Sequence, residues 1–211
     1  MTSAFALPTP ARPIIIFSSN PQTPFVMTTD TILQPVHVPA GTNAHHAPTL
    51  NVLGMAVGVK MQHAQTGGQF SSIECTLQPR QMGPPPHVHY ALDEIMYVTQ
   101  GTMSVLEGER VVEVAAGGWH FRPRGLVHTF WNATDAPAQF LDLYPGTQDF
   151  AHYLEELAQL GEDLHAEGAN PFAPESLARF KALDARYDHE VFYEQMPAHM
   201  EKYGPKSASL A

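Results

Sequence analysis

The stretch GPPPHVHYALDEIMYVTQG, residues 83–101, concentrates side chains able to do chemistry. His87 and His89 stand two apart, and Glu94 follows five residues later. Side chains at i and i+2 of a strand point to one face, so the two imidazoles can aim at a single point. A turn or bulge through residues 91–93 brings the Glu94 carboxylate to that point. Two imidazoles and a carboxylate are a common ligand set for a catalytic divalent metal, and they leave coordination positions open.

A second such stretch, GGWHFRPRGLVHTFWN, covers residues 117–132. In a strand His128, Phe130 and Asn132 share a face, so His128 can join the inward set. Residues 123–125 supply a tight turn ahead of that strand. Met96 and Phe130 share the inward face with the ligands and are expected to line an apolar pocket. Such a pocket suits an aromatic or otherwise apolar small molecule. Tyr90, next to His89, reads equally as a pocket residue and as an exposed turn tyrosine. His120 is expected outside the barrel or at its rim, facing away from Phe121. His45 and His46 fall in a loop. His63, His152, His165, His189 and His199 are expected on the surface or on helix faces. Cys75 alternates with Ile73 and Leu77, which makes it a core residue. No GxSxG, P-loop or GxGxxG element is present, which removes the corresponding hydrolase, NTPase and dinucleotide readings.

The elements that must position these residues are mostly strands. From Leu50 the pattern alternates, as in Met55, Val57, Val59 and Met61 and again in Ile73, Cys75 and Leu77. Short β runs separated by glycine turns continue to Tyr144, with no helix between them, which indicates a sandwich or barrel. After Gly146 the period changes. Phe150, Tyr153, Leu154, Leu157 and Leu160 form a helical stripe, with Thr147 as the N-cap and Gly161 as its end. Leu177, Phe180, Leu183 and Tyr187 form a second, with Pro174 in its first turn. Residues 1–47 are rich in proline and read as an arm with short strands, in which residues 14–17 are apolar enough to dock. The expected organisation is an arm over 1–47, a barrel over 48–146, and a helical extension over 147–211 packed on the barrel.

Composition narrows the function classes. A net charge of −10 argues against nucleic-acid and anionic-membrane surfaces. One cysteine allows no internal disulfide. No apolar run reaches the length of a membrane span, and the start lacks the form of a secretory signal, so a cytoplasmic protein is expected. Barrel edges and the proline-rich arm point to a homodimer.

Together the two stretches resemble the paired motifs of the cupin superfamily. HVH, four residues, Glu94, six residues and Gly101 resemble the first motif, and Gly117, Pro123, Gly125, His128 and Asn132 the second. One departure is Gln81, where the family pattern has a glycine; here Gly83 follows later, ahead of three prolines. The resemblance implies a mainly β, cupin double-stranded β-helix (a jelly-roll barrel) with an N-terminal arm and a C-terminal helical tail. It implies a site of His87, His89, Glu94 and His128 holding one divalent transition metal ion: Fe, Mn, Ni or Zn. The proline run, the DEIMYVTQG segment and the helical tail are similar to quercetinase-type (quercetin 2,3-dioxygenase-like) single-domain cupins. That likeness implies a metal-dependent dioxygenase for a small aromatic substrate, flavonol- or catechol-like, with Glu94 as ligand and general base. A metal-dependent isomerase or decarboxylase and a non-catalytic small-molecule-binding cupin are the alternatives, since one fold hosts many functions.

Overall fold

The computed structural model describes residues 33–205. Ten strands follow one another: β1 Leu50–Val52, β2 Met55–Met61, β3 Phe70–Leu77, β4 His87–His89, β5 Glu94–Gln100, β6 Thr102–Glu107, β7 Arg110–Ala115, β8 Trp119–Arg122, β9 His128–Trp131 and β10 Ala138–Pro145. A tail then adds α1 Phe150–Ala166, α2 Pro174–Arg186, β11 His189–Val191 and α3 Met196–Tyr203. Within residues 33–47 there is a 3-10 turn, Ala44–His46, and no strand. The short strands expected of the arm are therefore absent from this part, where Pro35 and Pro39 offer no N–H to a ladder. Residues 1–32, including the apolar run at 14–17, lie outside the described residues.

The strands form two antiparallel sheets, ordered β1-β2-β3-β10-β5-β8 and β11-β4-β9-β6-β7. This is the jelly-roll cupin fold. Alternation builds it: β3 and β10 bury every second residue and expose the others only partly. Inward residues of both sheets, among them Val57, Cys75, Met96, Val98, Met103, Val105 and Phe140, join one apolar cluster. The tail helices enter the same cluster through Phe150, Tyr153, Leu157, Phe180 and Leu183. Among the described residues no helix is long and apolar enough to cross a membrane.

The structure departs from the sequence reading in three further elements. First, α1 starts two residues later than expected and ends about two turns later. Asp149, not Thr147, caps it by accepting from the His152 N–H, and Gly161 lies inside the helix. Second, β8 presents the opposite face. Trp119 and Phe121 are 64% and 56% exposed, while His120 and Arg122 point inward. The register explains this: Arg122 lies opposite Glu94 and His120 opposite Met96, both on the inward face of β5. Buried carboxylates require a cation beside them, and that outweighs the exposure of two aromatic rings, one of which rests on Tyr97 at 4.5 Å. Third, the tail contains a strand. β11 pairs with β4, which buries His189, while His199 is buried against Trp131. His189 is therefore neither on the surface nor on a helix, whereas His199 lies on a helix, on the buried face of α3.

Candidate metal centre

The ligand strand β4 is held by neighbours on both sides. β9 places His128 opposite His87, and β11 places His189 opposite His89 and Val191 opposite His87. The three prolines before it have no N–H to satisfy, and all three carbonyls are used. Pro84 accepts from the Thr129 hydroxyl at 2.6 Å, Pro85 from His87 Nδ1 at 2.8 Å and Pro86 from the Phe192 N–H at 2.9 Å. Gly83 must be small. Its N–H donates to the Phe130 carbonyl at 3.0 Å, and a Cβ there would stand 2.2 Å from that oxygen. Gly125, at φ +79°, makes the turn whose N–H donates to the His89 carbonyl at 2.7 Å, tying the second motif to the first. Glu94 is set from its own turn. Asp93 accepts from the Arg124 backbone N–H at 2.8 Å and from its guanidinium at 2.7 Å, locking residues 91–93 to the turn ahead of β9. Asn132 is structural: its amide donates to the carbonyls of Gln78 and Ala136.

These constraints bring His87, His89, Glu94 and His128 together, all buried, with one ligand atom each lying within 4.8 Å of the others. A carbonyl only accepts, so Nδ1 of His87 carries a proton toward Pro85, and Nδ1 of His128 carries one toward Leu126 at 2.9 Å. That leaves Nε2 of both rings as a lone pair facing inward, the arrangement by which outer hydrogen bonds orient metal-bound imidazoles. His89 Nε2, His128 Nε2 and Glu94 Oε2 are buried and crowd together without a well-formed hydrogen bond, although His128 Nε2 lies 2.7 Å and Arg122 Nε 2.9 Å from Glu94 Oε2. Buried polar atoms are rarely left so; a cation bound among them satisfies all three. The donor set fits a divalent transition metal.

Two residues that sequence reasoning did not single out set the charge balance. Arg122, fully buried, places Nε 2.9 Å from Glu94 Oε2 and Nη2 2.7 Å from Asp142 Oδ1. Burial by itself raises the Glu94 carboxyl, but Arg122, His89 and His128 outweigh it and hold Glu94 well below the usual carboxylate range. Asp142 goes the other way. Burial pushes it up to about 7 against the pull of Arg122, and the Glu94 charge adds to the rise. One guanidinium thus serves two carboxylates, and Glu94 keeps the charge. Burial lowers His87 and His128 below the ordinary imidazole value, His87 the further of the two. Neutral rings are what a metal requires. Asp142 shares the buried phase of β10 with Ala138, Phe140 and Tyr144, and a lone acid in that phase was the legible signal for it.

Two residues of the cluster, His87 and Glu94, line a cavity of about 60 Å³. Phe130, Phe140, Phe150 and Leu154 wall it, with His87, Glu94 and Asp142 at its polar end. Of the expected pocket residues, Phe130 lines this cavity. Met96 is buried in the core, and Tyr90 is 57% exposed with its hydroxyl donating to Glu190 at 2.5 Å. A wider apolar groove of about 670 Å³ lies outside, and Leu53, Pro85 and Tyr193 belong to the walls of both.

Residues 73–144 match the cupin domain. The match runs from within β3 through nearly all of β10 and includes the four cluster residues. Germin-like protein 5-1 of Oryza sativa subsp. japonica is 29% identical over 123 residues, which is 54% of this chain and 48% of that protein. The chain thus spans about half the length of the curated relative it matches. Among solved structures, a predicted oxalate decarboxylase from Thermotoga maritima is 19% identical, with a TM-score of 0.43 over 46% of this chain and 88% of that chain. KdgF from Halomonas sp. is 18% identical, with a TM-score of 0.41 over 47% and 84%. The cupin domain, its jelly-roll fold and a histidine–glutamate cluster able to hold a metal ion therefore agree.

Proposed function

We propose that this protein is a divalent-metal-dependent dioxygenase acting on a small aromatic substrate. The observation that carries the reading is the placement of two cluster residues, His87 and Glu94, at the polar end of a largely apolar cavity whose walls include Phe130, Phe140 and Phe150. Such a site orients an apolar body and presents only its oxygen atoms to the ligands. A bound divalent ion supplies Lewis acidity toward those oxygens. The remaining work falls to the chain. Arg122 keeps Glu94 ionised and ready to ligate; so strongly held a carboxylate draws a proton weakly at neutral pH, which favours its ligand role over its role as base. Phe130 and Phe150 exclude water from the polar end.

Cavity size selects within the substrate class. A cavity that admits benzene measures about 150 Å³, whereas this one holds about 60 Å³. A single-ring catechol requires a modest outward shift of the tail, and a flavonol a much larger one, so we place the substrate at the single-ring end. The same small volume favours, as the second reading, a cupin that binds a small ligand without turning it over. Oxygen uptake by metal-loaded protein across a panel of catechols and a flavonol decides between them. Uptake matched by loss of a single-ring substrate is the expected result. Turnover that persists without oxygen would select a lyase or isomerase instead, and tight binding without turnover the second reading.

A further inference from the structure

The tail delivers a fourth imidazole to the cluster, and no part of the cupin match accounts for it: His189 lies outside residues 73–144. In the β11–β4 pair His189 stands opposite His89. Directly opposed residues of antiparallel strands project to the same side, so the His189 ring enters the site. It stacks on His89 with centroids 4.2 Å apart and planes 15° from parallel. Tyr153 meets it edge-on at 5.2 Å. The ring is 8% exposed, and neither of its nitrogens has a hydrogen-bond partner. Asp184 Oδ1 stands 4.0 Å from Nδ1, beyond hydrogen-bond reach. That carboxylate is already occupied by the hydroxyls of Tyr153 at 2.8 Å and Tyr193 at 2.9 Å.

The stacking also separates His189 from the ligands. A metal lies in the plane of the imidazole that binds it. Two nearly parallel rings at this spacing occupy different planes, so a metal held by His89 is out of line for His189. Yet His189 lines the same cavity as His87 and Glu94. An imidazole carries at least one N–H in either protonation state, and a buried one requires an acceptor. The acceptor must come from whatever occupies the cavity.

We propose that His189 is a ligand-recognition residue supplied by the tail, donating a hydrogen bond to an oxygen or other acceptor atom of the small molecule held beside the His87–His89–Glu94–His128 cluster. The proposal rests on the metal-centre part of the function proposed above, and not on its oxygenase part. It makes the tail a working part of the site: β11 reads the ligand while β4 holds the metal.

Azide tests it, being an acceptor small enough for the cavity. The full chain is loaded with cobalt(II), and azide is titrated anaerobically by the visible spectrum, with cobalt content measured in parallel. His189→Phe and His189→Leu remove the donor, and His189→Gln retains one. The expected result is unchanged cobalt per chain in all variants, azide affinity lowered roughly tenfold or more in the donor-free pair, and a smaller loss, about threefold, in His189→Gln. The pair guards against one variant failing to fold. Equal azide affinity in wild type and the donor-free variants overturns the proposal. So does wild-type protein that holds cobalt but takes up no azide, or loss of cobalt on removing the ring, which would make His189 a metal ligand. Protein that takes up no cobalt overturns both this proposal and the metal centre. Azide binding through His189 without oxygen uptake on any substrate removes the oxygenase reading alone.

Discussion

Arg122→Met is the perturbation that most directly tests the charge balance of the site. Methionine retains much of the alkyl volume and removes the guanidinium. Arg122 is fully buried between Glu94 at 2.9 Å and Asp142 at 2.7 Å, so no water replaces it. Asp142, pushed up to about 7, can take a proton near neutral pH and shed its share of the loss. Glu94 loses the largest of the charges that hold it ionised, leaving burial opposed only by His89 and His128. Truncating one partner of a buried ion pair costs about 3–5 kcal/mol. For a chain of this size that lowers Tm of the metal-free protein by roughly 6–20 °C. A bound divalent cation replaces the guanidinium as the countercharge to Glu94, so the loaded variant recovers part of the loss. If the recovery is about 2 kcal/mol, linkage requires metal binding about thirtyfold tighter than in wild type. Urea denaturation of the metal-free protein and competition against a chromophoric chelator read the two quantities. Arg122→Lys, which keeps the charge without the fork, should fall between. Metal-free Arg122→Met within about 1 kcal/mol of wild type, or metal binding weaker than wild type, would refute the reasoning.

Asp142→Asn isolates the second carboxylate. Asp142 has a raised folded-state value, so between the unfolded value of 3.8 and about 7 the folded protein holds a proton that the unfolded chain has released. Wild type should therefore lose stability relative to the variant as pH rises through that window and show no further relative change above it; urea midpoints at pH 5 and pH 8 check the sign. Gly83→Ala drives a methyl against the Phe130 carbonyl and should cost about 1–3 kcal/mol through backbone displacement, measured by thermal melting, with the cavity wall at Phe130 disturbed as well. Phe150→Ala removes a buried ring that meets His89 edge-on at 4.8 Å. It should cost about 3–5 kcal/mol while widening the cavity enough to raise affinity for larger aromatics, read by calorimetry on the metal-loaded protein.

Much of the site was legible because its geometry is local. His87 and His89 are two residues apart on one strand, and the Asp93 turn is short enough that spacing alone predicts where Glu94 points. The barrel strands were legible for the same reason, since β3 and β10 carry an uninterrupted period of two. β8 failed because a four-residue strand, Trp119 to Arg122, offers aromatics on one phase and His120 and Arg122 on the other. Hydrophobicity favours the first phase, and only the two carboxylates across the sheet reverse it. β11 failed because three residues carry no period at all. His189 therefore read as one more surface histidine.

By itself the sequence set His87, His89 and Glu94 within reach of one point, laid out the strand architecture that holds them and made their surroundings apolar, all through spacing and alternation within a few residues. His128 joined them only through the resemblance to the paired cupin motifs. Tertiary structure alone decided the rest. It turned Arg122 inward between Glu94 and Asp142, split the two carboxylates into one held ionised and one near 7, and closed the cavity to about 60 Å³. It also laid the tail strand along the ligand strand so that His189 faces His89. These depend on which distant strands pair and which charges are buried together, and no local pattern records that choice.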